Sequence, residues 1–564
     1  MIKRTLISIL AAGTVLAAGA VKARPGIHKM QQPDGSTIDV ILVGDENAHL
    51  YLTPDSLPLE RDAAGFLRPT GATSREAFAG LAQKRRQSKQ RRAALPQNGL
   101  GVFSNSFPVR GDVKALVLLV NYKDVKFSTP NPHEYFSNML MQEGFSDYNG
   151  TGSARDYFVD NSMGVFRPEF DCYGPVELPQ NRSYYGGNDW YGNDKAPEDM
   201  IKHAVQILDD EVDFSQYDTD GDGFVDNVYV FYAGEGEAGG GGDDTVWPHS
   251  YNILNGAGKT VRADGVTFDY YACSNEWEGG KPDGIGTFVH EFSHVMGLPD
   301  LYDTDYENAI YVTPSSWSVL DSGNYNNDSR TPAGYSAYER NALGWNEPEL
   351  IDGPASIELE EIGSSNASFI IQTEKTNEFF LLENRQKAGW DAYLPGHGML
   401  IWHIDYNSSV WTNNAVNNTR AHQYVDIVEA NNSPNSRTST NLAAYSWPGT
   451  KNKTTFTSTT TPALKSWAGK AIDLPITDIT ETDGKIRFDV AGGGPSTGIA
   501  EVAAPEAAGL RVNGRTLSCD GEILVYDLAG RLVVAGADAV EVPAAGIYVV
   551  RTAAGAATKL SVKF

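Results

Sequence analysis

The chain has 564 residues, more than one hydrophobic core usually serves, so several folded units are expected. Hydrophobic residues make up 41% and charged residues 21%, an ordinary globular composition that excludes a globally disordered chain. The formal charge of −27, from 72 acidic against 45 basic side chains, excludes nucleic acid and anionic membrane surfaces as partners, since both would be repelled.

Met1-Ile2-Lys3-Arg4 precedes an apolar run from Leu6 to Val21, and Ala23 stands before Arg24 and Pro25. This is the shape of a Sec signal peptide over residues 1–23. The run is shorter than the ~20 residues of a comfortable span, and no transmembrane segment is expected after signal removal. Cys172, Cys273 and Cys519 are the only cysteines, too few for a disulfide framework in an exported protein of this size.

Residues 24–105 read as a β-rich pro-peptide, with strand alternation over Ile38–Val43 and His49–Thr53. Within it, residues 82–97 are basic and poor in apolar side chains, which predicts an exposed, cleavable linker. A mixed α/β unit is expected over 106–350, opening on a buried strand at Ala115–Val120 and a helix near Ser153–Met163. Residues 351–491 alternate as an all-β domain, 492–498 form a Gly-rich linker, and 499–564 carry short strands expected to build a small Ig-like β-sandwich.

The chemistry concentrates in His290-Glu291-Phe292-Ser293-His294-Val295-Met296-Gly297-Leu298-Pro299-Asp300. A helix turns about 100° per residue, so His290 and His294 share one face and can address one metal ion. Glu291 is not needed as a ligand and is placed to take a proton from water activated by zinc. Gly297 permits a sharp departure from the helix, after which Asp300 can return as a third ligand and leave a fourth position open.

Together with Arg155-Asp156-Tyr157-Phe158, the run Gly239–Gly242 before Asp243-Asp244, and Leu381-Leu382-Glu383-Asn384-Arg385, this string resembles the immune inhibitor A type metallopeptidases, in the metzincin group of zincins. The resemblance covers about Val113 to Val490. It implies a secreted endopeptidase acting on proteins or peptides, with a removable pro-peptide, zinc on His290, His294 and Asp300, and Glu291 as general base; Asp303 is a rival third ligand. It also implies a multidomain fold, in which an α+β metzincin-like catalytic domain is flanked by a β-rich pro-domain, an all-β domain and a C-terminal β-sandwich. One departure stands out: where metzincins place a Met beneath the zinc, Trp317–Gly323 offers Leu320. Leu and Met have similar volumes, and such swaps usually cost under ~1.5 kcal/mol.

A second cluster, Asp218-Thr219-Asp220-Gly221-Asp222-Gly223-Phe224-Val225-Asp226, has carboxylates at calcium-loop spacing, with the Phe224 carbonyl as a further ligand. Asp218, Asp220, Asp222, Phe224 and Asp226 are therefore candidate structural calcium ligands. Position 12 is Tyr229, so the loop is not a full EF-hand. His403 and Asp405 share a strand face and are expected to be a hydrogen-bonded pair.

Tyr526-Asp527-Leu528-Ala529-Gly530-Arg531, Gly546-Ile547-Tyr548 and Lys559–Lys563 resemble sorting domains read by the type IX secretion machinery of Bacteroidetes, which implies a protein secreted or attached to the outer cell surface. The rival functions are a non-catalytic surface adhesin on a decayed zincin scaffold, against which the intact Glu291 speaks, and a zinc amidase of another substrate class.

Overall fold

The computed structural model describes residues 19–89, 97–98, 102–103, 107–189, 192–306, 313–432, 439–494, 511–513, 516–526, 532–543, 546–552 and 557–562. They form a mixed α/β protein with several sheets. The chain divides into two compact units, one of 1–353 with 359–488 and one of 354–358 with 489–564.

The larger unit opens on strands His28–Gln31, Thr37–Asp45, Ala48–Leu52, Pro58–Arg61 and Leu67–Pro69, an antiparallel sheet in sequence order. Helix Ser74–Lys89 follows and runs into the stretch expected to be a linker from residue 82. Its start explains it: Thr73 and Glu76 exchange hydrogen bonds of 2.8 and 3.3 Å as a capping box. Lys, Arg and Gln are also strong helix formers that need no buried face. Residues 90–96 of that stretch lie outside the described residues.

The sheet that carries the site consists of β1 (Gly111–Asn121), β2 (Phe166–Glu177), β3 (Val228–Glu235), β4 (His249–Asn252), β5 (Tyr270–Glu278) and the short β6 (Lys281–Pro282). Its order is β4-β5-β3-β1-β2, with β6 paired to β5. The interior pairings are parallel, whereas β4 closes one edge antiparallel to β5. Parallel strands covered on both faces should be apolar throughout, and β1 is from Ala115 to Val120. Leu116, Leu118 and Val120 enter one core, while Ala115, Val117 and Leu119 enter the other. The first core is covered by helix Glu198–Leu208 through Met200, Ile201, Ala204, Val205 and Leu208.

On the opposite face lies α1 (Ile285–Val295), every residue of which is buried. Phe288 stacks on Phe231 and Phe292 with centroids 5.7 and 5.6 Å apart and meets Phe170 edge-on at 5.0 Å. These rings fix the helix against the sheet, so its remaining face is held in one orientation. Cys172 packs against this core whereas Cys273 points into the other; both are free thiols, as is Cys519.

Downstream, strands Glu349–Leu350, Ser368–Gln372, Glu378–Arg385, Gly398–Asp405 and Val425–Ile427 form a five-stranded sheet. Phe379, Leu381, Leu400 and Trp402 of this sheet belong to the same core as α1. Buried Glu383 joins the two regions, accepting from the Trp402 indole at 2.8 Å and from the Ala337 amide at 2.6 Å. Arg385 beside it holds Asp391 through two 2.6 Å hydrogen bonds.

In the smaller unit, five strands within Arg511–Val562 make one antiparallel sheet around Leu517, Ile523, Val525, Val540 and Val550. Asp527–Arg531 and Lys563 of the sorting motif lie outside the described residues.

Because Phe288 is central to the aromatic cluster, Phe288→Ala is expected to destabilise the larger unit by about 3–5 kcal/mol. Urea unfolding followed by intrinsic fluorescence would check it. A midpoint equal to that of the unaltered protein would show that the cluster does not anchor α1.

Candidate metal centre

The helix that bears the histidines ends in a Schellman turn. Gly297 takes φ 99°, its amide bonds to the His294 carbonyl at 2.9 Å, and the Leu298 amide bonds to the Ser293 carbonyl at 3.0 Å. Glycine is the residue that adopts this conformation without strain. The turn reverses the chain, so that Asp300 arrives above the helix face it has just left.

There the three predicted ligands converge. His290 Nε2 and His294 Nε2 are 3.1 Å apart, and each lies 3.2 Å from Asp300 Oδ1. The other ring nitrogens are engaged: His290 Nδ1 lies 2.7 Å from the Val319 carbonyl and His294 Nδ1 lies 2.8 Å from the Leu298 carbonyl. A carbonyl only accepts, so each Nδ1 is the protonated nitrogen and each Nε2 presents a lone pair. Two lone pairs and a carboxylate oxygen face one another in a buried space, an arrangement able to hold a cation at its centre. Tetrahedral zinc with ligands at ~2.0–2.1 Å places them roughly 3.3–3.4 Å apart, close to the separations found. Burial opposes charge on His294 and on Asp300. Even so, Asp300 holds His294 above the usual imidazole range, and the imidazoles hold Asp300 below the usual carboxylate range.

Asp300 is held from beyond the helix. Its amide donates to Asn414 Oδ1 at 2.9 Å, and Asn414 Nδ2 donates to Asp300 Oδ2 at 2.6 Å. Asp303, the rival ligand, instead accepts the amides of Asp305 and Tyr306 at 3.1 and 3.2 Å and is not in the converging group. Leu320, next to the Val319 whose carbonyl His290 faces, is fully buried, and its carbonyl accepts the Leu301 amide at 2.8 Å.

Residues Gly19–Arg24, at the junction of the expected signal peptide and pro-peptide, run through the cleft over these ligands. Gly19 pairs antiparallel with Ser250 of β4, through hydrogen bonds of 3.2 and 2.7 Å. A Cβ at Gly19 would run into the His294 imidazole. The Val21 amide donates to Glu291 Oε1 at 2.7 Å, and the Tyr302 hydroxyl donates to the Ala20 carbonyl at 2.6 Å. Further along, the Trp247 indole donates to the Val21 carbonyl and the Tyr325 hydroxyl to the Lys22 carbonyl, each at 2.8 Å. Burial raises the Glu291 carboxyl well above its usual range, against the opposing effect of the Val21 amide. Trp247, Ser250 and Tyr302 escape a reading of the sequence because they reach the cleft from separate loops and an edge strand. Only Tyr302, two places after Asp300, carried a positional hint.

In the acidic loop the carboxylates of Asp218, Asp220 and Asp222 gather with ligand atoms within 4.8 Å of one another. Of the four expected carboxylates, Asp226 is not in that group. Asp226 turns to the Thr219 hydroxyl and amide, and Phe224 sits where the loop bridges to Thr267. Beyond the acidic cluster the chain pairs with Thr267: the Thr267 amide bonds to the Gly223 carbonyl and the Val225 amide to the Thr267 carbonyl, both at 2.9 Å. His403 and Asp405 do not bond each other. His403 Nε2 lies 3.0 Å from Glu378, and His422 Nε2 lies 3.0 Å from Asp405.

Comparison with known proteins agrees with this geometry. The chain is 31% identical over 263 residues to immune inhibitor A of Bacillus thuringiensis subsp. alesti, covering 38% of this chain and 37% of that protein. It is 26% identical over 303 residues to the pre-pro-metalloprotease PrtV of Vibrio cholerae serotype O1 (strain M66-2), covering 44% of this chain and 32% of the relative. The matched region thus spans about a third of each relative's length. Residues 109–346, which include β1 to β6, α1 and all three converging side chains, match the family described as immune inhibitor A peptidase M6, catalytic domain.

Proposed function

We propose that the protein is a secreted zinc endopeptidase that hydrolyses peptide bonds of extracellular proteins. The observation that carries this reading is the convergence of two imidazole lone pairs and the Asp300 carboxylate beside Glu291, in a span matched by a peptidase catalytic domain. Zinc held by His290, His294 and Asp300 would supply Lewis acidity, polarising a carbonyl and acidifying water. Glu291 moves the proton. Its Oε2 is buried with no hydrogen-bond partner, and its Oε1 accepts from a backbone amide in the cleft. The carboxylate therefore stands where it can take a proton from water and deliver it to the leaving nitrogen. The open edge of β4 holds an extended peptide by backbone hydrogen bonds, and Tyr302 donates to the carbonyl next to the amide that Glu291 contacts.

The acidic loop is assigned a structural calcium, supported by the gathered carboxylates of Asp218, Asp220 and Asp222, with Asp226 and Phe224 as the remaining candidates. The C-terminal unit is assigned to sorting by the type IX secretion machinery. Support comes from the motifs in its sequence and from its separate small core.

Glu291→Ala is expected to keep zinc while losing casein cleavage by roughly 10²–10⁴-fold. Cleavage at the normal rate would reject the mechanism, and an unaltered protein that holds zinc yet cuts nothing would favour a binding scaffold. Asp300→Ala should lose the metal and Asn414→Ala should weaken zinc binding about 10–100-fold, whereas Asp303→Ala should leave zinc content unchanged; the reverse pattern by metal analysis moves the third ligand.

Calcium at about a hundred times its Kd should stabilise the fold by about 2.7 kcal/mol, because three carboxylates otherwise repel one another. A melting temperature identical in excess calcium and in a calcium-selective chelator rejects the site. Deleting residues 499–564 should leave zinc content and casein cleavage nearly intact and strand the chain in the periplasm of its host. Full-length levels of the truncated protein at the surface or in the medium would refute the sorting assignment.

A further inference from the structure

The segment lying in the cleft marks where the side chains of a bound peptide go. Its register is fixed at two atoms: the Ala20 carbonyl faces the Tyr302 hydroxyl, and the Val21 amide faces Glu291. The Ala20–Val21 bond therefore occupies the place of a bond to be cut, with Val21, Lys22, Ala23 and Arg24 as the first to fourth residues on the leaving-group side. Both basic side chains meet acids of the catalytic domain. Lys22 Nζ is paired with Asp321, a fully buried carboxylate, and lies 5.6 Å from the centroid of the Tyr302 ring. Asp321 is fixed from behind, since its other oxygen accepts from the Ser315 amide at 2.6 Å and from the Thr313 hydroxyl. Arg24 lies 3.3 Å from Glu278, contacts Asp328 and sits over the Tyr325 ring. Glu278 owes its place to Gly239, where any Cβ would collide with the carboxylate. Asp328 is shared with Lys281 and Arg330, so Glu278 is the less occupied of the two acids.

Buried carboxylates are costly unless paired, and Asp321 has only neutral donors apart from the incoming ammonium. We infer that the cleft selects substrates with Lys or Arg as the second residue after the cut bond, recognised by Asp321, and that Glu278 accepts a further basic residue at the fourth. The inference rests on the peptidase reading above and adds its substrate class. The acids that make the selection all belong to residues 278–328, so the preference persists when the leader is removed.

The test is a cleavage profile. Protein recovered as secreted and supplied with zinc is incubated with a library of peptides from a digested proteome, and the cut positions are read by mass spectrometry. Lys and Arg are expected to be enriched several-fold at the second position. In paired quenched peptides that differ only there, kcat/KM should be about tenfold higher for Lys than for Ala, the scale of one charge-assisted hydrogen bond, and lower still for Glu. Asp321→Asn should bring the Lys to Ala ratio close to one. Because Asp321 also braces Thr313 and Ser315, Glu278→Gln serves as a second variant, expected to reduce a preference for Arg at the fourth position without changing the second. Cut sites with no basic preference at the second position overturn the inference whatever the variants do, as does a Lys preference that survives Asp321→Asn. Failure of the underlying peptidase reading looks different, because then no peptide of any sequence is cut, and the inference falls with it.

Discussion

The structure turns on one constraint: two imidazoles one helical turn apart need a third donor to share a cation, and here Asp300 returns to them immediately after the helix ends. Gly297 meets that constraint with its left-handed backbone, and the same turn presents the Leu298 carbonyl that fixes the His294 tautomer. Capping and ligand orientation are therefore one structural event. The aromatic cluster under Phe288 and Phe292 plays the complementary part, fixing the opposite side of the helix so that the ligand face does not rotate.

The centre is also not confined to the span that matches a peptidase domain. Asn414, more than a hundred residues past Asp300, grips both the backbone and the carboxylate of that residue. Glu383 and Arg385 tie the following sheet to the helix at Ala337 and to Asp391. What the sequence divides into a catalytic and a β-rich domain is joined by a single core containing Phe288, Leu381 and Trp402. A fragment ending near residue 346 would leave Asp300 without its partner and expose much of that core to water.

Much of this was legible in the sequence because it is local. The histidine string, its glycine and Asp300 all lie within about three turns of chain; helix geometry predicts that the two histidines share a face, and the family resemblance singled out Asp300 over its rival Asp303. The strands at Ile38–Val43 and Ala115–Val120 were visible through their alternation or apolar runs. Three features were not. The helix through Lys84 to Lys89 was hidden because its composition also suits a solvated linker, and its capping box lies ten residues upstream. Asp226 kept calcium-loop spacing while its side chain found Thr219. Trp247, Tyr302, Asn414 and Asp321 converge only through tertiary structure, and no spacing rule connects them.

The edge strand β4 has a consequence for which proteins such an enzyme attacks. An edge that binds by backbone hydrogen bonds requires a partner whose own amides and carbonyls are unspent, as Gly19 is where it bridges to Ser250. A helix or an interior strand in a folded target cannot satisfy this until it comes loose. When reclosing is faster than cleavage, the rate on a native protein follows the free energy of its local opening. On the proposed peptidase reading, the cleft would act as a gauge of conformational stability, and intact, tightly folded neighbours would be spared even where their sequences suit the site.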